Sequence, residues 1–238
     1  STAIAVSQES GIGTVNTIRR TKFETTFAGG VGLRGDYSAI FDYAMKVSSV
    51  DESNLNQSLI IVTPNTIDYG GITEMWEDGS AIAFCPLSED TYPYDARGII
   101  QHEAGGHGFG KLGDEYIYHN GFIEFCCPLD FATLNYGKSL GWYENLSLTG
   151  KMHEVPWSHL IFDDRYSDVV DIYEGGFKHA RGVFRSEQNS CMNNNISYFS
   201  AISREAIVKR IMEYAGESYS FEKFVENDKR DAVNSLSR

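Results

Sequence analysis

What this sequence lacks narrows its class before any motif is read. No stretch of its 238 residues approaches the ~18 consecutive apolar residues of a membrane span. No charged start followed by an apolar run marks a secretory leader. The chain opens instead on Ser1-Thr2-Ala3-Ile4-Ala5-Val6, which reads as a strand already under way, so a leader removed from its front is expected. Cations are scarce: 20 Lys and Arg against 33 Asp and Glu leave a formal charge of −13. That balance excludes the concentrated basic surface of nucleic-acid binding and opposes docking on an anionic membrane. The acidity serves solubility, and carboxylates also suit structural calcium, which takes oxygen ligands.

Cysteine is sparse too. Cys85, Cys126, Cys127 and Cys191 contain no CxxC spacing, so a structural zinc knot is not expected. The vicinal pair Cys126-Cys127 cannot bridge to itself without strain. Pairings among the four and free thiols both stay open. There is no internal repeat, low-complexity tract or long linker. No Ser, Cys and His grouping supports a nucleophilic triad, and Gly11-Ile12-Gly13 is too bare for a nucleotide loop.

What is present fits one substantial domain, or two subdomains. Hydrophobic residues make up 42% of the chain, with 14 Tyr and 14 Phe, enough for a core without disulfide staples. A helix is expected over 36–48, with Asp36 as N-cap and Tyr37, Ile40, Phe41, Ala44 and Met45 on one face. The run Leu59-Ile60-Ile61-Val62, within Ser58 to Thr63, reads as a strand buried on both faces. Ala81 to Cys85 reads as another, with turn signals at Asp68-Tyr69-Gly70-Gly71 and Asp78-Gly79. Pro93 suits the first turn of a helix running through Ala96, Ile99 and Ile100 to the histidines and ending near Gly105-Gly106, Gly108 and Gly110. Ile202, Ala206, Ile207, Ile211 and Met212 mark a further amphipathic helix. The expected fold is therefore α/β: residues 1–107 form an α/β subdomain ending in the helix that bears the histidines, and 108–238 a mainly helical one.

The chemistry-bearing segment is His102-Glu103-Ala104-Gly105-Gly106-His107, followed by Asp114-Glu115 and, further on, His119. Catalytic zinc takes three protein ligands plus a water, and imidazole is its commonest ligand. A glutamate beside the first histidine can take a proton from that water, as in HExxH zincins. The spacing, however, departs from HExxH. Histidines four apart lie about 40° apart around an α-helix, whereas five apart lie about 140° apart, which splays them. A π-bulge, bonded i→i+5, would restore the alignment, and Gly105-Gly106 also permits local unwinding. Otherwise the two histidines are ordinary polar groups near a helix end.

The neighbouring residues carry a resemblance. The stretch from His102 through Gly108-Phe109-Gly110, Leu112 and Asp114-Glu115-Tyr116 resembles the H-E-x-G-H-x-F-G-x-L-x-D-E-Y signature of the bacterial IgA peptidase family, a metzincin-like group of zinc peptidases. Ile60-Ile61-Val62 and Tyr69-Gly70-Gly71-Ile72 are similar to that family's strand and Tyr-Gly-Gly turn, and the likeness extends over most of residues 35–215. One residue is inserted between the histidines. Other metzincins place the third ligand six residues after the second histidine, here Gly113, which has no side chain to ligate. Asp114 is thus the expected third ligand, Glu115 the alternative and His119 an outsider.

The resemblance implies a metzincin-like fold whose Met-turn is Met192, within Ser190-Cys191-Met192-Asn193. Tyr198 is the nearest candidate for the auxiliary tyrosine of some metzincins, although its spacing is longer than usual, and Tyr116 is expected to pack or orient ligands. Cys191 is expected to be a buried structural cysteine. The implied activity is a Zn²⁺-dependent endopeptidase with Glu103 as general base, acting on a protein or peptide outside a bacterial cell: secreted, periplasmic or at the surface. By analogy with metzincins, Ala81 to Cys85 would pair with an extended substrate. Two other readings stand beside this one. The first is a binding module that has lost efficient catalysis, and the second a metal-dependent amidase acting on cell-wall or other non-protein amides.

Overall fold

The computed structural model describes residues 23, 25–27 and 33–229 of the chain, so the expected opening strand and Gly11-Ile12-Gly13 lie outside the described residues. The architecture is mixed α/β, with sheets containing both parallel and antiparallel pairs. The chain divides into two units at 104/105, each with its own packing.

In the first unit, β1 (Thr26–Phe27) pairs antiparallel with β2 (Leu33–Arg34), and α1 (Tyr37–Ala44) follows. Asp36 caps α1 by accepting a hydrogen bond from the Ala39 amide at 3.0 Å. A three-stranded sheet has the order β3 (Leu59–Val62), β5 (Ala81–Phe84), β4 (Ile72–Met75). β5 runs parallel to β3 and antiparallel to β4. Gly79, at φ +92, makes the tight turn between β4 and β5, where Trp76 and Ser80 close the hairpin.

All four residues of β5 are buried, which is what the unbroken apolar run Ala-Ile-Ala-Phe requires of a central strand. Ile82 and Phe84 join Ile40, Leu33 and Val62 on one side; Ala83 and Cys85 meet Ile99 and Ala104 on the other. Full burial of side chains such as Phe84 and Ile82 stabilises by about 1.5–3 kcal/mol each.

Two expectations change here. β3 is not buried on both faces: it lies at the sheet's edge, with Leu59 and Ile61 each 42% exposed. Nor can β5 pair with a substrate strand, because both its edges are taken by β3 and β4. Among the described residues the open edges belong to β3 and β4.

The helix expected from Pro93 starts later, as α2 (Ala96–Ile100), because Asp95 caps it by accepting from the amides of Arg97 and Gly98. It continues without a break into a π-helix, Gln101–Phe109, and ends among the expected glycines, just before Gly110.

The second unit has more helix than strand, as expected, but it is not helix and loop alone. It holds a four-stranded sheet in which β9 (Lys178–Arg185) pairs parallel with β6 (Ile117–Phe122) and antiparallel with β7 (Leu146–Ser147) and β8 (Tyr173–Gly176). These strands are short, bulged or glycine-bearing, so no clean two-residue alternation announces them. Helices α3 (Ile123–Cys126), α4 (Pro128–Ser139), α5 (Ser158–Ile161), α6 (Cys191–Asn194), α7 (Ala201–Tyr214) and α8 (Phe221–Asn227) complete it. Trp157, Leu160, Tyr166, Ala201, Ile202 and Phe224 form its main core. A smaller cluster gathers Leu112, Met192 and Ala206.

Candidate metal centre

The π-helix resolves the spacing problem posed by the histidines. With i→i+5 hydrogen bonding, seen in Gly110 donating to the Gly105 carbonyl at 3.0 Å, five residues make about one turn. His102 and His107 therefore come to the same side of one continuous helix. Asp114 follows in the next loop, and the ligating atoms of all three lie within 4.8 Å of one another. His102 is buried, and the side chains of His107 and Asp114 are only 13% and 12% exposed.

The hydrogen bonds of His107 define its tautomer. Its Nδ1 lies 2.7 Å from the Leu112 carbonyl, which can only accept, so Nδ1 carries a proton. Its Nε2 lies 3.0 Å from Asp114 Oδ1. If Nε2 is unprotonated, a lone pair and a carboxylate oxygen face one another at that distance, and the contact needs a cation between them. A second ring proton or a shared metal ion supplies it. A histidine that donates its other N–H to a backbone carbonyl is the usual form of a metal ligand. The donor set, two imidazoles and a carboxylate, suits Zn²⁺. These three residues could bind a metal.

The loop bearing Asp114 is clamped by bonds from distant parts of the chain. Lys111, in the left-handed region at φ +52, turns the chain out of the helix, and its Nζ donates to the Gly108 carbonyl at 2.8 Å. Asn145 donates to the Gly113 carbonyl and accepts from the Gly113 amide, both at 2.8 Å. Phe177 donates to the Asp114 carbonyl at 2.7 Å. Asn145 is the positioning residue that sequence reasoning missed. It lies 32 residues from Gly113 and belongs to no recognisable motif.

Glu115 is placed away from the ligand group. It is fully buried, with its carboxylate accepting from Asn145 at 2.9 Å and from Ser190 at 2.6 Å. Burial pushes its pKa up to about 7, against the lowering effect of the Ser190 and Asn145 bonds. Its amide donates to the Met192 carbonyl at 2.8 Å, tying the loop to the segment around Met192. His119 is also elsewhere: it pairs in register with His179. Tyr116 packs its ring against Tyr118, with centroids 4.7 Å apart. Tyr198 donates its hydroxyl to Glu187 at 2.7 Å; burial, then the Glu187 charge, pushes its pKa up to about 12.

Met192 is fully buried, and a Cβ on Gly106 would come within 2.9 Å of its Cε. A glycine at 106 is what lets the helix approach this methionine. Gly105 differs, since a Cβ there would meet only Phe199, at ordinary contact distance.

Glu103 is buried, and the Thr73 hydroxyl on β4 shares its one proton between the Glu103 carboxylate and main-chain carbonyl, each at 2.9 Å. A Cβ on Gly71 would fall 2.7 Å from Glu103 Oε1, so the Tyr-Gly-Gly turn is the cradle in which this carboxylate sits. All four cysteines are free thiols, Cys85 and Cys191 buried. Burial, reinforced by the Glu103 charge, raises the pKa of Cys85 and keeps it unreactive.

Among the described residues no helix is long and apolar enough to cross a membrane. No protein-family model matches the chain, and no curated protein matches it.

Proposed function

We propose that this protein is a zinc-dependent endopeptidase of metzincin type, with His102, His107 and Asp114 as the ligands and Glu103 as general base. The observation that carries the reading is the π-helical turn, whose length matches the five-residue spacing of the histidines. The likeness of His102 to Tyr116 to the IgA peptidase signature supports it, as does Met192 packed beside Gly106 in the manner of a Met-turn.

The bound ion would supply Lewis acidity, which polarises a carbonyl and makes water a nucleophile at neutral pH. Glu103 does the proton work. Its carboxylate, held by Thr73 and spared a clash by Gly71, takes the proton of the attacking water and delivers it to the departing amine. Asp114, His107 and the Asn145 clamp keep the ligand geometry fixed. An extended peptide would add to the open edge of β4, the strand whose Thr73 orients the base. The substrate is a protein or peptide encountered outside the cell.

Two measurements test the reading. Protein purified without added metal or chelator should carry zinc. Digestion of a broad peptide library by the wild type should fall about 10²–10⁴-fold in Glu103→Gln, with zinc retained. Unchanged cleavage in that variant removes Glu103 from the mechanism, and a chain free of zinc removes the peptidase reading.

A further inference from the structure

A second group of donors lies in the second unit, separate from the histidines of the π-helix. Cys126 is the last residue of α3, Cys127 is the joint, and Pro128 starts α4. Successive residues of an α-helix point about 100° apart. Cys127 escapes that divergence because its backbone is not helical, at φ −143 and ψ 70. The two thiols and the ring of His179, from β9, bring one ligand atom each within 4.8 Å of the others.

The ring of His179 is in the state a ligand needs. It is fully buried, and its Nε2 lies 2.8 Å from Asp130 Oδ2 in the first turn of α4. A carboxylate accepts, so Nε2 carries the proton, and Nδ1 faces the Cys126 sulfur at 3.5 Å. A carboxylate behind a histidine fixes the tautomer and raises the basicity of the ligating nitrogen. His119, opposite on β6, packs its ring 5.2 Å from that of His179 and holds its plane. Gly121 on the same strand leaves space for the thiol: a Cβ there would lie 2.9 Å from Cys126 Sγ.

We propose that Cys126, Cys127 and His179 form a second metal site, which takes a thiophilic d¹⁰ ion, Zn²⁺ or Cu⁺. Two sulfurs and one imidazole are soft donors of the kind that select these ions over Mg²⁺ or Ca²⁺. Cys126 is exposed and Cys127 half-buried, so an ion can reach them from solvent. Binding releases the thiol protons to solvent, and no electron changes hands. Asp130 acts as a positioning residue through His179.

The test uses the full chain, reduced and held without oxygen. Co²⁺ is added alone, and thiolate-to-cobalt charge-transfer absorption is followed. This signal needs sulfur and cannot arise from His102, His107 and Asp114, so the outcome is independent of the proposed peptidase site. The expected result is a band that stops rising by two equivalents, the histidine centre being free to take the other ion, and that is lost in Cys126→Ser and in Cys127→Ser. Asp130→Asn, which keeps both thiols, should weaken binding about 10–100-fold. Stepwise titration with Zn²⁺ or with Cu⁺, each followed by loss of the thiolate band, identifies the preferred ion. Absence of the band in folded, reduced protein overturns the proposal, as does a band that persists in either serine variant. A Cys126-Cys127 disulfide in protein isolated under reducing conditions overturns it as well.

Discussion

The chemistry of the candidate centre is decided by single hydrogen bonds. His107 offers Nε2 towards Asp114 because Leu112 accepts the Nδ1 proton. Glu103 is aimed by one hydroxyl, that of Thr73, and given room by one missing methyl, at Gly71. Elsewhere, Glu205 shows how a buried acid is kept ionised. Burial pushes its pKa up, but hydrogen bonds from His159 and Tyr219 and the charge of Lys209 outweigh it, leaving the carboxyl below its ordinary 4.5.

A depressed carboxyl stabilises the fold above its unfolded pKa, and the contribution fades as pH falls through the lower, folded value. The melting temperature of Glu205→Gln should therefore lie below wild type at neutrality, and the gap should close at pH well below 4.5. A gap that widened on acidification would refute this assignment. The residue types of the centre were legible in the sequence, since His, Glu and Asp at near-motif spacing announce themselves. Asn145 and Thr73 were not, because a clamp made across 30 or more residues leaves no local pattern.

At the scale of elements, the π-helix is the device on which the centre depends. Its adjacent glycines, Gly105 and Gly106, have different duties. Met192 is fully buried and has nowhere to retreat, so Gly106→Ala should cost about 1–3 kcal/mol of stability and displace His107. Gly105→Ala meets no close atom and should be neutral or stabilising by up to about 1 kcal/mol. Denaturant unfolding of the two variants checks the contrast, and equal losses would contradict it.

The sequence showed that an α-helical turn could not serve both histidines, and a bulge was one of its two remedies. It misjudged the strands. β3 and β5 both read as continuous apolar runs, yet position in the sheet exposes one and buries the other, and only tertiary pairing decides that. The sheet around β9 was missed because its partners are two to six residues long and irregular in register.

For the whole molecule, a metal held by the native state alone adds to stability by mass action. In a Cys126→Ser, Cys127→Ser background only the histidine centre should load. Zinc at 100 times its dissociation constant then adds about 2.7 kcal/mol, a rise of about 5–11 °C in melting temperature for a domain of this size. A chelator should remove that increment, and a melting temperature indifferent to chelation would count against the site. The mixed α/β class followed from the strand and helix signals of the first half. The sheet of the second half did not, because glycine-bearing, bulged strands resemble loops when read one residue at a time.

The most direct measurement is anomalous diffraction at the zinc edge from crystals of the protein as purified. The account predicts a peak bounded by His102, His107 and Asp114, with both imidazole nitrogens about 2.0–2.1 Å from the ion and the helix between them still in its π form. Absence of a peak there, or histidines turned away from a common centre, would contradict it.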